Sequence, residues 1–111
     1  MKIETRDVGE VRILEPSGKI TIGVGDVALR EAVHDAVQSG SKKILVDLSD
    51  TTTMDSSAIG ELVSAYTTVT NRGGQLKLLN LPPKVADILQ ITQLITVFEV
   101  YDNEQEAIAS F

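Results

Sequence analysis

Eight of the nine residues in "SDTTTMDSS", Ser49 to Ser57, carry a hydroxyl or a carboxylate, and an apolar pattern begins directly afterwards. Several chemistries are open to such a run. The simplest is helix capping, in which a side-chain oxygen of Asp55, Ser56 or Ser57 accepts from a free backbone N–H of the helix that follows. A second is nucleophilic catalysis by a serine. It needs a base within reach, and a strand–turn–helix elbow would read Gly-x-Ser-x-Gly, which is missing here. The lone histidine, His34, falls in the middle or end of an earlier helix, away from this loop. A third is phosphoryl acceptance on an aspartate, with Asp47, Asp50 and Asp55 as the acidic cluster. A receiver domain also needs an acidic pair after its first strand to hold a divalent cation. The first strands of this chain end in Val-Gly and Pro-Ser instead.

The fourth chemistry needs no base and no metal of the chain's own. Ser56 at a helix N-terminus can accept phosphate from an outside kinase. The product carries roughly -1.5 to -2 charges and sits against free N–H groups and the positive end of the helix. The chain tolerates that charge with little rearrangement. A partner docked on the same spot meets a dianion beside Asp55, so the modification acts as a local electrostatic switch. Thr52, Thr53 and Ser57 are secondary hydroxyls whose simpler roles are solvation and capping.

The flanking elements place this run. "ILVDL", ending at Leu48, is a nearly continuous apolar strand of the kind covered on both faces. Ile59, Leu62, Val63, Tyr66 and Val69 recur at helical spacing after the run, and "NRGG" ends that helix. The loop Ser49–Asp55 therefore sits at the carboxyl end of a central strand, where open α/β sheets place their sites. Upstream, "IETRDV" and "VRILEP" read as a hairpin turning at Gly9-Glu10, with Pro16 ending the second strand. "GKITIGVG" reads as a loop, and Asp26 as the cap of a helix that carries Leu29, Ala32, Val33, Ala36 and Val37 and stops at Gly40. Downstream come a strand "QLKLLNL", a proline-opened helix "PPKVADILQI", a strand "TVFEVY" and a short helix capped by Asn103, with Ala107, Ile108 and Phe111 turned inward. The order β-β-α-β-α-β-α-β-α predicts a mixed, mostly parallel sheet in a single domain spanning residues 1–111.

Composition excludes several classes. Cysteine is absent, so there is no disulfide or thiolate metal site. A formal net charge of -6 disfavours direct nucleic-acid binding. With two Phe, two Tyr and no Trp, the core must be aliphatic and bases have little to stack on. No Gly-rich loop carries Lys-Ser or Lys-Thr, so a phosphate-binding P-loop is missing. No apolar run approaches membrane-spanning length, and the charged N-terminus has no signal-peptide core. The expectation is a cytoplasmic protein without membrane insertion.

The segments "ILVDLSDTTTMDSSAIGELVSAY" and "NRGGQLKLLNLPPKVADILQITQL" resemble the STAS domain family, and more narrowly the bacterial anti-sigma factor antagonists. The shared pattern is a strand ending in Asp-Leu-Ser, a short linker, Met or Ile, Asp-Ser-Ser and a helix. A Gly-Gly before the next strand and a proline-initiated helix also fit. The resemblance spans essentially the whole chain. It implies the STAS fold, with about five strands, about four helices and an opening β-hairpin. It implies phosphorylation at Ser56 and partner binding through Thr53, Met54, Asp55, Ser57, Ala58 and Ile59, with Gly18, Lys19 and Thr21 of the neighbouring loop. The implied partners are an anti-sigma factor that is also a serine kinase, and a PP2C-type phosphatase that resets the serine. The chain itself would be neither an enzyme nor a cofactor binder. A STAS accessory subunit of another regulatory or transporter assembly is the alternative. Two positions depart from the pattern: Ala58 and Ile59 replace Gly-Leu, and "GKIT" (Gly18–Thr21) replaces Gly-Glu-Leu-Asp.

Overall fold

The computed structural model describes residues 2–111. Strand β1 (Lys2–Val8) turns at Gly9-Glu10 into β2 (Val11–Ile20), and the two pair antiparallel from Lys2↔Ser17 to Val8↔Val11. Helix α1 (Gly25–Gln38), β3 (Lys43–Asp47), β4 (Thr51–Met54), α2 (Ser56–Asn71), β5 (Gln75–Leu79), α3 (Pro83–Ile91), a 3-10 turn (Leu94–Thr96), β6 (Val100–Tyr101) and α4 (Glu104–Ala109) follow. The sheet runs β1-β2-β3-β5-β6, with all pairs after the first parallel.

Strand β2 is longer than its sequence suggests. Pro16 does not end it: the strand continues to Ile20 and changes partner on one edge. Val11–Leu14 pair with β3, whereas Gly18–Ile20 pair in parallel with β4. Pro16 occupies the gap between the two pairings. Its carbonyl accepts from Thr51 Oγ1 at 3.2 Å on that edge, so its missing N–H faces a place where no ladder bond is required. The part of "GKITIGVG" expected as loop is thus strand as far as Ile20. Strand β4 is a sixth strand in the segment expected to be loop. Its β-branched threonines suit a strand, and Thr52 is the extra residue of a bulge between the Gly18↔Thr51 and Lys19↔Thr53 pairs. The last strand is shorter than expected, because Leu94–Thr96 coil into the 3-10 turn and leave only Val100–Tyr101 paired.

One face of the sheet carries the main core. Leu14, Ile20, Ile44, Val46, Leu76 and Leu78 from the strands meet Leu29, Val33, Leu62, Val69, Val85 and Leu89 from α1, α2 and α3. Each such side chain contributes about 1.5–3 kcal/mol when fully buried. The other face is narrower: Val11, Ile13, Leu45 and Leu79 are covered by Ala107 of α4, with Tyr101, Ile108 and Phe111 around them. Lys77 is buried there. Its Nζ donates to the Ser110 carbonyl at 2.8 Å, pairs with Glu99 at 2.8 Å and lies over the Phe111 ring.

Helix α2 ends where the sequence expects. Gly73 takes a left-handed φ of 79°, its N–H donates to Thr70 O, and Gly74 N–H donates to Val69 O, which closes the last turn. Helix α1 departs from expectation at its start. Asp26 is not the cap; Val24 holds that position without a side-chain bond. Asp26 lies inside the first turn, where Oδ1 accepts from Gly23 N and Val27 N, both at 2.8 Å. No helix among the described residues is long and apolar enough to cross a membrane.

Candidate functional site

The run Ser49–Ser57 folds at the carboxyl ends of β2, β3 and β5. After Asp47 the chain turns at Ser49-Asp50 and rejoins β2 as β4, with Thr51 N donating to Leu48 O and Gly18 N to Asp50 O. The Asp47 carboxylate is buried and braces this turn. Its Oδ1 accepts from Ser49 N at 3.0 Å and from Asn80 Nδ2 at 3.3 Å. Met54 then faces the core, and Asp55 begins α2.

Of the three candidate caps, Asp55 performs the role. Oδ1 accepts from Ala58 N at 2.9 Å, while Oδ2 accepts from Ile22 N at 2.8 Å in the loop after β2. These two amides, Ala58's first, hold the Asp55 carboxyl below the ordinary aspartate range. Ser56 is therefore the first residue of α2, and it is exposed. The first N–H groups of a helix have no partner within it, so positive potential concentrates around Ser56. Ser57 and Thr53 are half-buried, Thr52 is exposed, and Thr51 is buried against Pro16.

The expected partner-binding residues divide by burial. Lys19 is exposed, and Gly18, Thr21, Thr53, Asp55 and Ser57 are half-buried. The structure brings these six to one end of the sheet, through the pairing of β2 with β4 and a 3.3 Å bond from Asp55 N to Ile20 O. Met54, Ala58 and Ile59 are buried, at 2%, 0% and 5% exposure, and all three belong to the main core. Their side chains pack inward and are not part of the exposed surface at this end of the sheet. The Ala58 methyl is thus a packing group of the main core.

Two large apolar residues that sequence reasoning passed over are exposed next to this end of the sheet. Ile22 and Val24 are 72% and 62% exposed in the turn held by Asp55. The available signal was two large apolar residues inside a glycine-flanked segment assigned to a loop.

The competing chemistries do not find their groups. His34 lies in a groove between α1 and α2 with Arg30, Glu61, Ser64 and Thr68, and Glu61 is already more than a helical turn from Ser56. Asp47 Oδ1 and both oxygens of Asp55 accept from amides in different turns, and no group of three metal-ligating side chains forms among the described residues. A cleft of about 410 Å³ lies at the opposite end of the sheet, and its cations are engaged: Arg12 by Asp7, Lys43 by Glu10 and Lys42 by the Arg72 carbonyl.

Residues 2–107 match the STAS domain family. The chain belongs to the STAS domain family. A relative from Thermotoga neapolitana, described as a candidate anti-sigma factor antagonist, is 30% identical over 101 residues, covering 91% of this chain and 89% of the relative. The anti-sigma F factor antagonist of Paenibacillus polymyxa is 27% identical over 109 residues, covering 97% and 92%. Among solved structures, a candidate anti-sigma factor antagonist from Thermotoga maritima superposes with a TM-score of 0.89 at 28% identity, covering 97% and 92%. The six-stranded mixed sheet and four helices are those of a STAS domain.

Proposed function

We propose that the chain is an anti-sigma factor antagonist switched by phosphorylation of Ser56. The unphosphorylated form binds an anti-sigma factor that is also a serine kinase, and so frees a sigma factor in the cytoplasm. The kinase then transfers the γ-phosphoryl of ATP to the Ser56 hydroxyl, the complex dissociates, and a PP2C-type phosphatase restores the serine. The chain contributes no catalytic group.

The observation that carries this reading is the setting of Ser56. It is an exposed hydroxyl at the first position of a sixteen-residue helix, next to a carboxylate already fixed by two amides. Membership of the STAS family and relatives named as anti-sigma factor antagonists support it. A phosphate on Ser56 meets the positive helix end, so the fold accommodates it, while a partner seated on the same surface meets two added charges beside Asp55.

The test is to incubate the chain with purified anti-sigma factor kinases and Mg-ATP and to map the phosphate by mass spectrometry. Phosphate on Ser56 is expected. Phosphate confined to Thr51, Thr52 or Thr53 overturns the assignment.

A further inference from the structure

We propose that the outer edge of β1 is an interface for a second copy of this chain, in which the two β1 strands pair antiparallel about Thr5 and join the two sheets into one. The proposal stands apart from the reading of Ser56.

Strand β1 ends the sheet order, runs seven residues and has a backbone partner on the β2 side only, among the described residues. The strand at the other end of the order, β6, has two residues. An open row of backbone groups as long as that of β1 is a template for another strand. The hairpin fixes which groups the row offers. Gly9, at a φ of 60°, and Glu10 form a two-residue turn, so Val8 and Val11 beside it make a hydrogen-bonded pair. Such pairs alternate along an antiparallel ladder, and Arg6, Glu4 and Lys2 therefore also bond inward to β2. Ile3, Thr5 and Asp7 are left with their N–H and C=O groups turned to the open edge. Pro16 agrees with this alternation. It stands across from Ile3, where β1 and β2 exchange no bond, and its carbonyl points the other way, to Thr51.

Charge selects the occupant and the register. A two-fold axis at Thr5 pairs the whole strand: Ile3 meets Asp7, Thr5 meets Thr5 and Asp7 meets Ile3, each pair exchanging two backbone bonds, about six in all. The same register sets Glu4 of one copy directly across from Arg6 of the other, twice over. These are the non-hydrogen-bonded positions, where facing side chains stand closest. Moving the axis by one residue puts Glu4 across from Glu4 or Arg6 across from Arg6. Moving it by two leaves only residues 2–4 or 6–8 paired. Arg6 is held ready on the α4 face by Glu15, at 2.7 Å, and by Glu104, while its side chain stays 40% exposed. Glu4 is exposed beside it, and Asp7 is engaged at 2.9 Å by Arg12 of its own chain. Charges on an edge strand ordinarily discourage pairing. Here they disfavour the neighbouring registers and favour one. The two copies of β2 then run in opposite directions, so the Ser56 ends of the two copies lie at opposite ends of the joined sheet.

The experiment uses the purified full chain. Sedimentation over a concentration series is expected to show a monomer–dimer equilibrium, and a chain that stays monomeric throughout overturns the proposal. Thr5→Pro removes an N–H that faces solvent in the monomer and lies on the axis of the dimer. It should raise the dimer dissociation constant at least about tenfold while keeping the parent's circular dichroism and cooperative melting, because an edge position tolerates proline. Glu4→Arg sets arginine across from Arg6 without touching the backbone. It should raise the constant several-fold, and more at low salt. Parent-like dimerisation of a folded Thr5→Pro overturns the interface, and parent-like dimerisation of Glu4→Arg overturns the register. Because the chain has no cysteine, single cysteines test the register even where Thr5→Pro does not fold. A short thiol-specific crosslinker should join Thr5→Cys to its own copy, since directly paired residues have Cα atoms about 5.5 Å apart. Lys2→Cys stands across from Val8 and about 20 Å from its own copy, and should not be joined. No crosslink at Thr5→Cys, or equal crosslinking of the two variants, overturns pairing about Thr5.

Discussion

The Asp55 carboxylate stands between the N–H of Ala58 and the N–H of Ile22, at 2.9 and 2.8 Å, and so ties the serine helix to the turn that follows β2. The cap of one helix is in this way the brace of a neighbouring loop. Each oxygen has its own partner, which allows the two roles to be separated by substitution.

We expect Asp55→Ala to lower stability by about 1 kcal/mol, the usual loss for a cap, and to speed hydrogen exchange at Ile22 as well as at Ala58. Asp55→Asn keeps one carbonyl acceptor. It should preserve capping within a few tenths of a kcal/mol while releasing the Ile22 amide. Urea unfolding and amide exchange on both variants check this, and unchanged exchange at Ile22 in both would refute the brace.

The same carboxylate sets a pH dependence. Its folded pKa is depressed below the ordinary 3.8, by the Ala58 and Ile22 amides in that order. A depressed carboxyl contributes stability above the unfolded value and loses it as pH falls through the folded one. The stability gap between the parent and Asp55→Ala should be full at neutral pH and shrink as the pH drops below about 4. A gap that is constant between pH 7 and pH 2 would show that the charge plays no part.

Gly25 offers a test of the close approach between α1 and β2. An added Cβ would fall 2.6 Å from Ile20 Cα and 3.1 Å from the Lys19 carbonyl, both backbone atoms that cannot rotate away. Gly25→Ala should therefore destabilise by about 1–3 kcal/mol, although alanine is the better helix former. A thermal midpoint at or above that of the parent would mean the turn relaxes freely.

Most of the architecture is legible in the residues. The apolar runs of β3 and β5, the 3.6 spacing in α2 and the caps at Asp55 and Asn103 all follow from local chemistry. What escapes depends on pairing. Thr51–Met54 is only four residues long and becomes a strand because β2 continues past β3 and needs a partner. Pro16 reads as a terminator, yet it is accommodated at the point where β2 changes neighbours. The candidate site divides in the same way. Asp55 and Ser56 announce themselves by type and position. The inward orientation of Ala58, and the junction of the Ile22 turn with Asp55, exist only once the sheet has brought residues 18–24 beside residues 51–58.

Ala58 stands where the family pattern has glycine, and its side chain is completely buried in the main core. Restoring glycine removes a packed methyl and adds backbone freedom at the third helical position. We expect Ala58→Gly to cost roughly 1 kcal/mol of stability from helix propensity alone. Phosphorylation of Ser56 by a competent kinase should proceed as in the parent, because the methyl never reaches the surface. A changed rate with unchanged stability would place Ala58 in partner recognition instead.

Ser56→Asp separates charge at the switch from damage to the fold. A carboxylate in the first turn is favoured by the helix end, by about 0.3–1 kcal/mol, and repulsion from Asp55 offsets part of that gain. The variant should therefore unfold at or near the parent's midpoint. On the proposed function it should nevertheless lose affinity for the anti-sigma factor kinase, because Ser56 is exposed and the charge is added at the proposed docking surface. Ser56→Ala should bind without being released in the presence of ATP. Calorimetry with and without Mg-ATP, beside thermal melts of the three proteins, reads both quantities. Equal affinity of the aspartate and alanine variants would remove Ser56 as the switch, whereas a large fall in melting temperature would assign the loss of binding to unfolding rather than to charge.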